Sequence, residues 1–322
     1  MWRDGIKYVY LPMLNALQKE IKKLSRLYSS VAMLALTHGQ AATPTTFGKE
    51  MAVFHRRLNR QATMLKEQRL QGKISGATGT WAAHIVAYPG IDWIRFSGRL
   101  VKRFGLDLSP VTTQVEPHDS LAESYHVLAR INSILIDFTR DMWLYISRTI
   151  LGQKKIAGET GSSTMPHKIN PIYFENAEGN CGLANAVLNH LASKLTVSRM
   201  QRDLSGSTVI RNQGVALGHS FVGLNNLLKG LDRITINQKN MIAELDKHWE
   251  VLAEAIQTIL RKNGQPGAYN KLKNLTRGNY LDQETIHKLI SDLNITTDDK
   301  NNLLKLTPAD YTGLAHKLAQ MK

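Results

Sequence analysis

The sequence predicts an all-α protein built from long helices, and three features carry that prediction. Leucine, isoleucine and aromatic residues recur at alternating steps of three and four. They form the stripes Leu14, Leu17, Ile21, Leu24, Tyr28, then Leu128, Ile131, Leu135, Phe138, Met142, Tyr145, then Leu217, Phe221, Leu224, Leu228, Leu231. That spacing makes one face of an α-helix apolar, and long stripes of it pack helices nearly parallel in a bundle. No convincing run of alternating apolar and polar residues stands against this reading, and glycine and proline clusters separate the periodic segments.

Taken in order, the periodicity places long helices over about 4–30, 47–73, 118–150, 172–195 and 208–233. Pro44 and Gly48 sit near the start of the second, and Gly72, Gly76 and Gly79 mark a loop after it. A boundary is expected near Ile234-Thr235-Ile236-Asn237, giving a bundle domain over 1–235 and a small C-terminal helical domain over 236–322. The second domain should hold shorter helices, interrupted by Gly264-Gln265-Pro266-Gly267 and by Thr307-Pro308. The first stripe starts almost at Met1, so the chain is expected to begin inside a larger architecture.

The 322 residues suit two domains or one large helical domain, and a hydrophobic share of 43% is too high for a disordered chain. The single cysteine, Cys181, excludes an intramolecular disulfide and fits a reducing compartment, so a cytoplasmic location is expected. No apolar run reaches the length of a membrane span, and Met1-Trp2-Arg3-Asp4 does not open a signal peptide. The net charge of +15 attracts anions. No zinc-finger spacing or aromatic-basic RNA signature accompanies it, and Lys300, Lys305, Lys317 and Lys322 are dispersed. A small anionic substrate is therefore the expected partner, rather than nucleic acid or membrane. The eleven histidines show no ligand spacing, and no dinucleotide or phosphate-loop fingerprint occurs, so neither metal nor cofactor is expected.

The densest chemistry lies in Gly161-Ser162-Ser163-Thr164-Met165-Pro166-His167-Lys168-Ile169-Asn170-Pro171. Gly158 and Gly161 with Pro166 and Pro171 make it a loop. Ser162 fits a nucleophile or, with its alkoxide stabilised by cations and backbone donors, a general base; a capping pair of serines is the plain alternative. Thr37-His38-Gly39-Gln40 offers a loop histidine with a pKa suited to proton donation, or simply a capping residue. Arg199, Arg202 and Arg211, with Ser207 among them, suit phosphate or carboxylate, or a solvated helix face. Gln114 lies in the polar segment Thr112–Asp119 and fits either a carboxylate-orienting amide or a loop and cap.

The 158–171 loop and Thr37-His38-Gly39-Gln40 resemble conserved regions of the fumarase/aspartase superfamily, whose members release fumarate by β-elimination. The resemblance narrows to bacterial adenylosuccinate lyases. It rests on Met165–Pro171 with Phe174-Glu175-Asn176-x-Glu178-Gly179-Asn180, on Thr112-Thr113-Gln114-x-Glu116-Pro117-His118-Asp119, and on Ser198-Arg199-x-Gln201-Arg202-Asp203-Leu204. It runs from about residue 11 to the C-terminus.

The resemblance implies a long-helix bundle, homotetramers, and active sites each built from three subunits. It implies that His38 is the general acid at the leaving nitrogen and Ser162 the general base at Cβ. Lys168 and Asn170 then bind the succinyl carboxylates and stabilise the aci-carboxylate. Gln114 orients the substrate, and Arg202, Ser207 and Arg211 hold the nucleotide phosphate. Thr37, Lys49 and Ser163 line the substrate, with Ser163 the fallback base. The implied reactions convert adenylosuccinate to AMP, and succinylated imidazole carboxamide ribotide to its product, in purine synthesis.

Two departures are local: Ala41 stands where the family usually has proline, and Tyr173 where relatives often have aspartate. A larger one is that the family's first domain is not matched, including its Arg-Tyr phosphate contact, a histidine and a Thr-Ser segment. This motivates an alternative reading, a silent fragment that only associates with full-length subunits. A sister lyase with another substrate is disfavoured by the phosphate set and by His167.

Overall fold

Leu128, Ile131, Leu135, Phe138 and Met142 are all fully buried, as their spacing demands, on a helix that runs Asp119–Ser147. Removing each such side chain from water stabilises the fold by about 1.5–3 kcal/mol. The computed structural model describes residues 1–155, 165, 167–265 and 281–321. It divides into two units. One comprises Met1–Lys19, Arg56–Leu144 and Lys155–Arg233; the other comprises Glu20–His55, Tyr145–Lys154 and Ile234–Lys322.

The helices of the first half are Trp2–Gly5 (α1), Leu11–Leu27 (α2), Phe47–Glu67 (α3), Ala82–Ala87 (α4), Trp93–Arg103 (α5) and Asp119–Ser147 (α6). A π-helical turn, Ile6–Tyr10, joins α1 to α2. Then follow Ile172–Leu195 (α7), Ser205–Ile210 (α8) and Gln213–Arg233 (α9). The second expected helix ends at Glu67 rather than near 73. The expected helix over 208–233 is two helices, broken at Arg211-Asn212. Helices α4 and α5 occupy what the sequence marks only as a loop region. α4 buries none of its residues, so it carries no periodic signal.

In the first unit, Tyr10, Leu14 and Leu17 are fully buried. Polar groups within this core pair with one another. The Trp2 indole donates to Ser124 Oγ at 2.8 Å, Tyr10 Oη lies 2.9 Å from Ser220 Oγ, and Ser220 donates on to Asn132. Such pairing removes the penalty of burying them. α7 and α9 pack closely along their lengths. The buried face of α9 is Ala216, Ser220, Gly223, Leu224, Leu227, Gly230 and Leu231, so the expected stripe is only partly right: Leu217, Phe221 and Leu228 are half-buried. Small residues explain the shift. A Cβ at Gly223 would lie 2.7 Å from Cys181 Sγ, and one at Gly230 would lie 3.0 Å from the Phe174 ring. Tyr173, the departure noted above, lies under the Arg233 guanidinium at 4.6 Å from its ring centre.

In the second unit, Ile21 is fully buried, and the next buried position is Ser25, whose hydroxyl donates to the Ala319 carbonyl at 2.6 Å. The stripe thus moves off Leu24, which is half-buried. Tyr28, Phe47 and Tyr145 form an edge-to-face chain at 5.8 and 6.1 Å. Short antiparallel ladders pair Ala32–Met33 (β1) with Thr45–Thr46 (β4), and Leu151–Gln153 (β7) with Ile234–Ile236 (β8). Strands of two or three residues show no alternation, which is why the sequence conceals them. The C-terminal helices are Gln238–Leu245 (α10), Ala253–Lys262 (α11), Gln283–Ser291 (α12), Thr297–Lys305 (α13) and Ala315–Gln320 (α14). Trp249, Leu252, Ile256, Leu260, Ile286, Ile290 and Leu303 form a core of their own there. Among the described residues, no helix is long and apolar enough to cross a membrane.

Candidate active site

The candidate residues fall in both units. Thr37, His38 and Lys49 belong to the second, and Gln114, Lys168, Asn170, Arg202, Ser207 and Arg211 to the first. Ser162 and Ser163 lie outside the described residues.

Thr37 and His38 sit on a small hairpin. Leu36–Thr37 (β2) pairs antiparallel with Gln40–Ala41 (β3), leaving His38-Gly39 as a two-residue turn. Both turn residues have positive φ, +53° and +72°. That is the geometry whose twist matches a hairpin, and it suits glycine. His38 is therefore held, exposed, at the tip of a rigid turn. Ala41, the other local departure, pairs with Leu36.

Lys49 lies in the first turn of α3, where its backbone N–H is capped by Thr46 Oγ1 at 3.2 Å. Its ammonium donates to Glu50 Oε1 at 3.1 Å, and Thr45 Oγ1 donates to the same oxygen at 2.9 Å.

In the first unit the fold brings Gln114 and Arg202 together across a long sequence separation. The Gln114 backbone N–H donates to Gln201 O at 3.2 Å, and Arg202 Nη1 donates to Gln114 Oε1 at 3.4 Å. The 112–114 segment is pinned from behind. Gln71–Gly72 (β5) pairs in parallel with Asp107–Leu108 (β6), which carries the chain past Lys73. Lys73 Nζ donates to the carbonyls of Gly76, Thr113 and Gln114 at 2.7, 3.0 and 2.7 Å. Burial lowers its pKa from the ordinary lysine value. Gly79, at φ +75°, passes so near Thr112 O that a Cβ there would stand 2.0 Å from it.

A cavity of about 180 Å³ lies between this segment, the end of α7 and α8. Arg202, Ser207, Asp203 and His118 line it. The Asp203 carboxylate accepts from the Ser205 N–H and hydroxyl and pairs with Arg199 at 3.3 Å. The Ser205 contacts are the main reason its pKa falls below the ordinary aspartate value. It is therefore a carboxylate that already has its donors, and Arg202 beside it is exposed. Ser207 Oγ donates to Leu204 O at 3.1 Å, and Arg211 follows α8 as an exposed side chain. Lys168 is exposed, with its N–H on Met165 O at 3.1 Å, and Asn170 is half-buried.

Three residues of this site, Lys73, Glu116 and His118, carry no role in the sequence reading. Lys73 gives no local signal, because Thr113 and Gln114, two of its three partners, lie some forty residues away. His118 and Glu116 lie within the motif that supplied Gln114, so that motif was the available signal.

Comparison with known proteins places the chain in a family. Residues 1–185 match the family model for lyases, and residues 198–312 match the model for the adenylosuccinate lyase C-terminal region. The chain is 49% identical over 320 residues to the adenylosuccinate lyase of Legionella pneumophila strain Corby, covering 99% of the chain and 70% of that relative. It is 50% identical over 307 residues to the adenylosuccinate lyase of Escherichia coli K12, covering 95% and 67%. In fold it is similar to 3-carboxy-cis,cis-muconate lactonizing enzyme from Pseudomonas putida. That similarity has a TM-score of 0.78 at 22% identity, covering 99% of this chain and 72% of that one. A fumarate lyase from Mesorhizobium sp. BNC1 gives a TM-score of 0.76 at 18% identity, covering 98% and 72%. With near-complete coverage of the chain at about half identity, the chain belongs to the adenylosuccinate lyase family.

Proposed function

We propose that the chain catalyses β-elimination of fumarate from adenylosuccinate, giving AMP, and from succinylated imidazole carboxamide ribotide, giving the free carboxamide. The observation that carries this reading beyond family membership is the cluster of Gln114, Arg202 and Ser207. An amide that suits a carboxylate stands beside a guanidinium and a hydroxyl that suit a phosphate.

In the proposed reaction Ser162 removes the Cβ proton, the electrons of that bond pass into the adjacent carboxylate as the aci-carboxylate, and they then return to form the C=C bond as the C–N bond breaks. His38 returns a proton to the departing nitrogen. Lys168 and Asn170 bear the carboxylate charge that grows at the intermediate, and Gln114 orients the succinyl group. Arg202, Ser207 and Arg211 hold the phosphate, while Thr37, Lys49 and Ser163 line the remaining substrate. The net charge of +15 supports a substrate carrying one phosphate and two carboxylates. The step transfers protons but no electrons to an acceptor, so the reading needs neither redox cofactor nor metal.

We further propose a homotetramer with composite sites, in which 1–235 supplies the bundle and 236–322 a C-terminal domain. Exposed apolar side chains on the bundle helices, among them Trp143, Leu183, Val215 and Val222, support association. The buried, unpaired thiol of Cys181 supports a reducing, cytoplasmic setting.

The test is fumarate release by the purified chain, alone and mixed with an inactivated full-length relative. The substrates to compare are adenylosuccinate and argininosuccinate. Release from adenylosuccinate alone is expected. Release from argininosuccinate, or from neither in both settings, would refute the proposal.

A further inference from the structure

His118 has a backbone that few histidines adopt. Its φ is +68°, in the left-handed region that costs an ordinary residue roughly 1–2 kcal/mol. Two contacts hold it there. Its N–H donates to Glu116 Oε2 at 2.9 Å, and its carbonyl accepts the N–H of Ala122 in the first turn of α6 at 2.9 Å. The other carboxylate oxygen, Glu116 Oε1, is buried without a partner, and burial raises the pKa of that group. Strain of this kind persists where the surroundings over-determine it, and such sites are commonly functional.

The constrained residue is partly withdrawn from solvent. Its imidazole is half-buried on the wall of the same cavity that Arg202 and Ser207 line. The titratable and charged groups around it are Glu116 and Asp119 on its own segment, and Arg202 and Asp203 across the cavity. Asp203 already has its donors in Ser205 and Arg199. Burial lowers the pKa of His118, and the Asp119 charge opposes that only in part. The empty cavity thus favours neutral imidazole, and an arriving dianion reverses the preference.

We propose that His118 is a third ligand of the phosphoryl dianion beside Arg202 and Ser207, donating through its imidazole and taking up a proton as the anion binds. The inference rests on the reading of Arg202 and Ser207 as phosphate ligands. The arrangement makes affinity for the phosphorylated substrate depend on pH through a residue that touches no reacting atom.

The experiment uses sulfate, which stays dianionic across the range where histidine titrates. Sulfate affinity is measured calorimetrically at about pH 5.5 and about pH 7.5. The His118 imidazole is followed in parallel by NMR, with and without sulfate. The unmodified chain should bind sulfate about tenfold more tightly at the lower pH, with the His118 titration moving upward on binding. His118→Asn, which tolerates positive φ and keeps a donor that cannot titrate, should remove that dependence. An unchanged pH dependence in His118→Asn, or a His118 titration unmoved by sulfate, would overturn the proposal. Arg202→Ala separates the two levels. If it abolishes sulfate binding while His118 proves inert, the phosphate reading stands and the inference falls. If it leaves binding intact, the cavity is not the phosphate site and both fall.

Discussion

Lys73 Nζ lies 2.7 Å from the carbonyl oxygen of Gln114, with the carbonyls of Thr113 and Gly76 completing its three donors. The ammonium thus fixes the backbone of a residue proposed to orient substrate, while the same residue's side chain accepts from Arg202. Lys73→Met should release that segment. A charged hydrogen bond is worth about 1.5–3 kcal/mol, so kcat/KM should fall by about 10- to 100-fold. Steady-state kinetics on the active assembly checks this, and a value near that of the parent would show the clamp to be unimportant.

His38→Ala and Ser162→Ala should each lower kcat by about 10²- to 10⁴-fold while leaving substrate affinity nearly unchanged, as removal of a proton-transfer group does. Single-turnover kinetics with a binding titration separates the two effects. Full turnover in either variant would reassign that role, with Ser163 the next candidate for the base.

Packing of α7 on α9 depends on the missing side chain at Gly223. Gly223→Ala should cost about 1–3 kcal/mol by overpacking against Cys181. Cys181→Ala makes room, so the double variant should recover part of that loss. Denaturant melts of the four proteins give the coupling energy, and simple additivity would mean that the two helices move apart instead.

Asp299 is the conspicuous ion of the C-terminal core. Its carboxylate accepts from Lys262 Nζ at 2.8 Å and Asn263 Nδ2 at 2.9 Å. The Lys262 contact is the foremost cause of its lowered pKa. A carboxyl whose folded pKa is depressed adds stability above its ordinary value of 3.8, and that stability is lost as pH falls through the folded value. Asp299→Asn should therefore melt lower than the parent at neutral pH, with the gap closing as the solution is acidified below that range. A gap independent of pH would assign the effect to packing.

Large side chains made most of the fold legible. The stripe on α6 is unbroken because each of its positions holds a bulky apolar group. On α9 the true contact face is written in glycine, alanine and serine, so a reading that follows large residues lands one position away. The site was legible as motifs and not as geometry. His38 stands in a readable tetrapeptide, yet the hairpin that presents it has strands of only two residues. Lys73 and the left-handed turn at His118 depend on segments far apart in sequence or on a backbone angle, and neither leaves a periodic trace.

The most direct test of the central claim is complementation between subunits. This chain is mixed with a full-length relative from which the general base has been removed, and fumarate released from adenylosuccinate is measured beside the same mixture made with Ser162→Ala. The account predicts fumarate from the first mixture and almost none from the second. Equal release from both, or none from either, would contradict it.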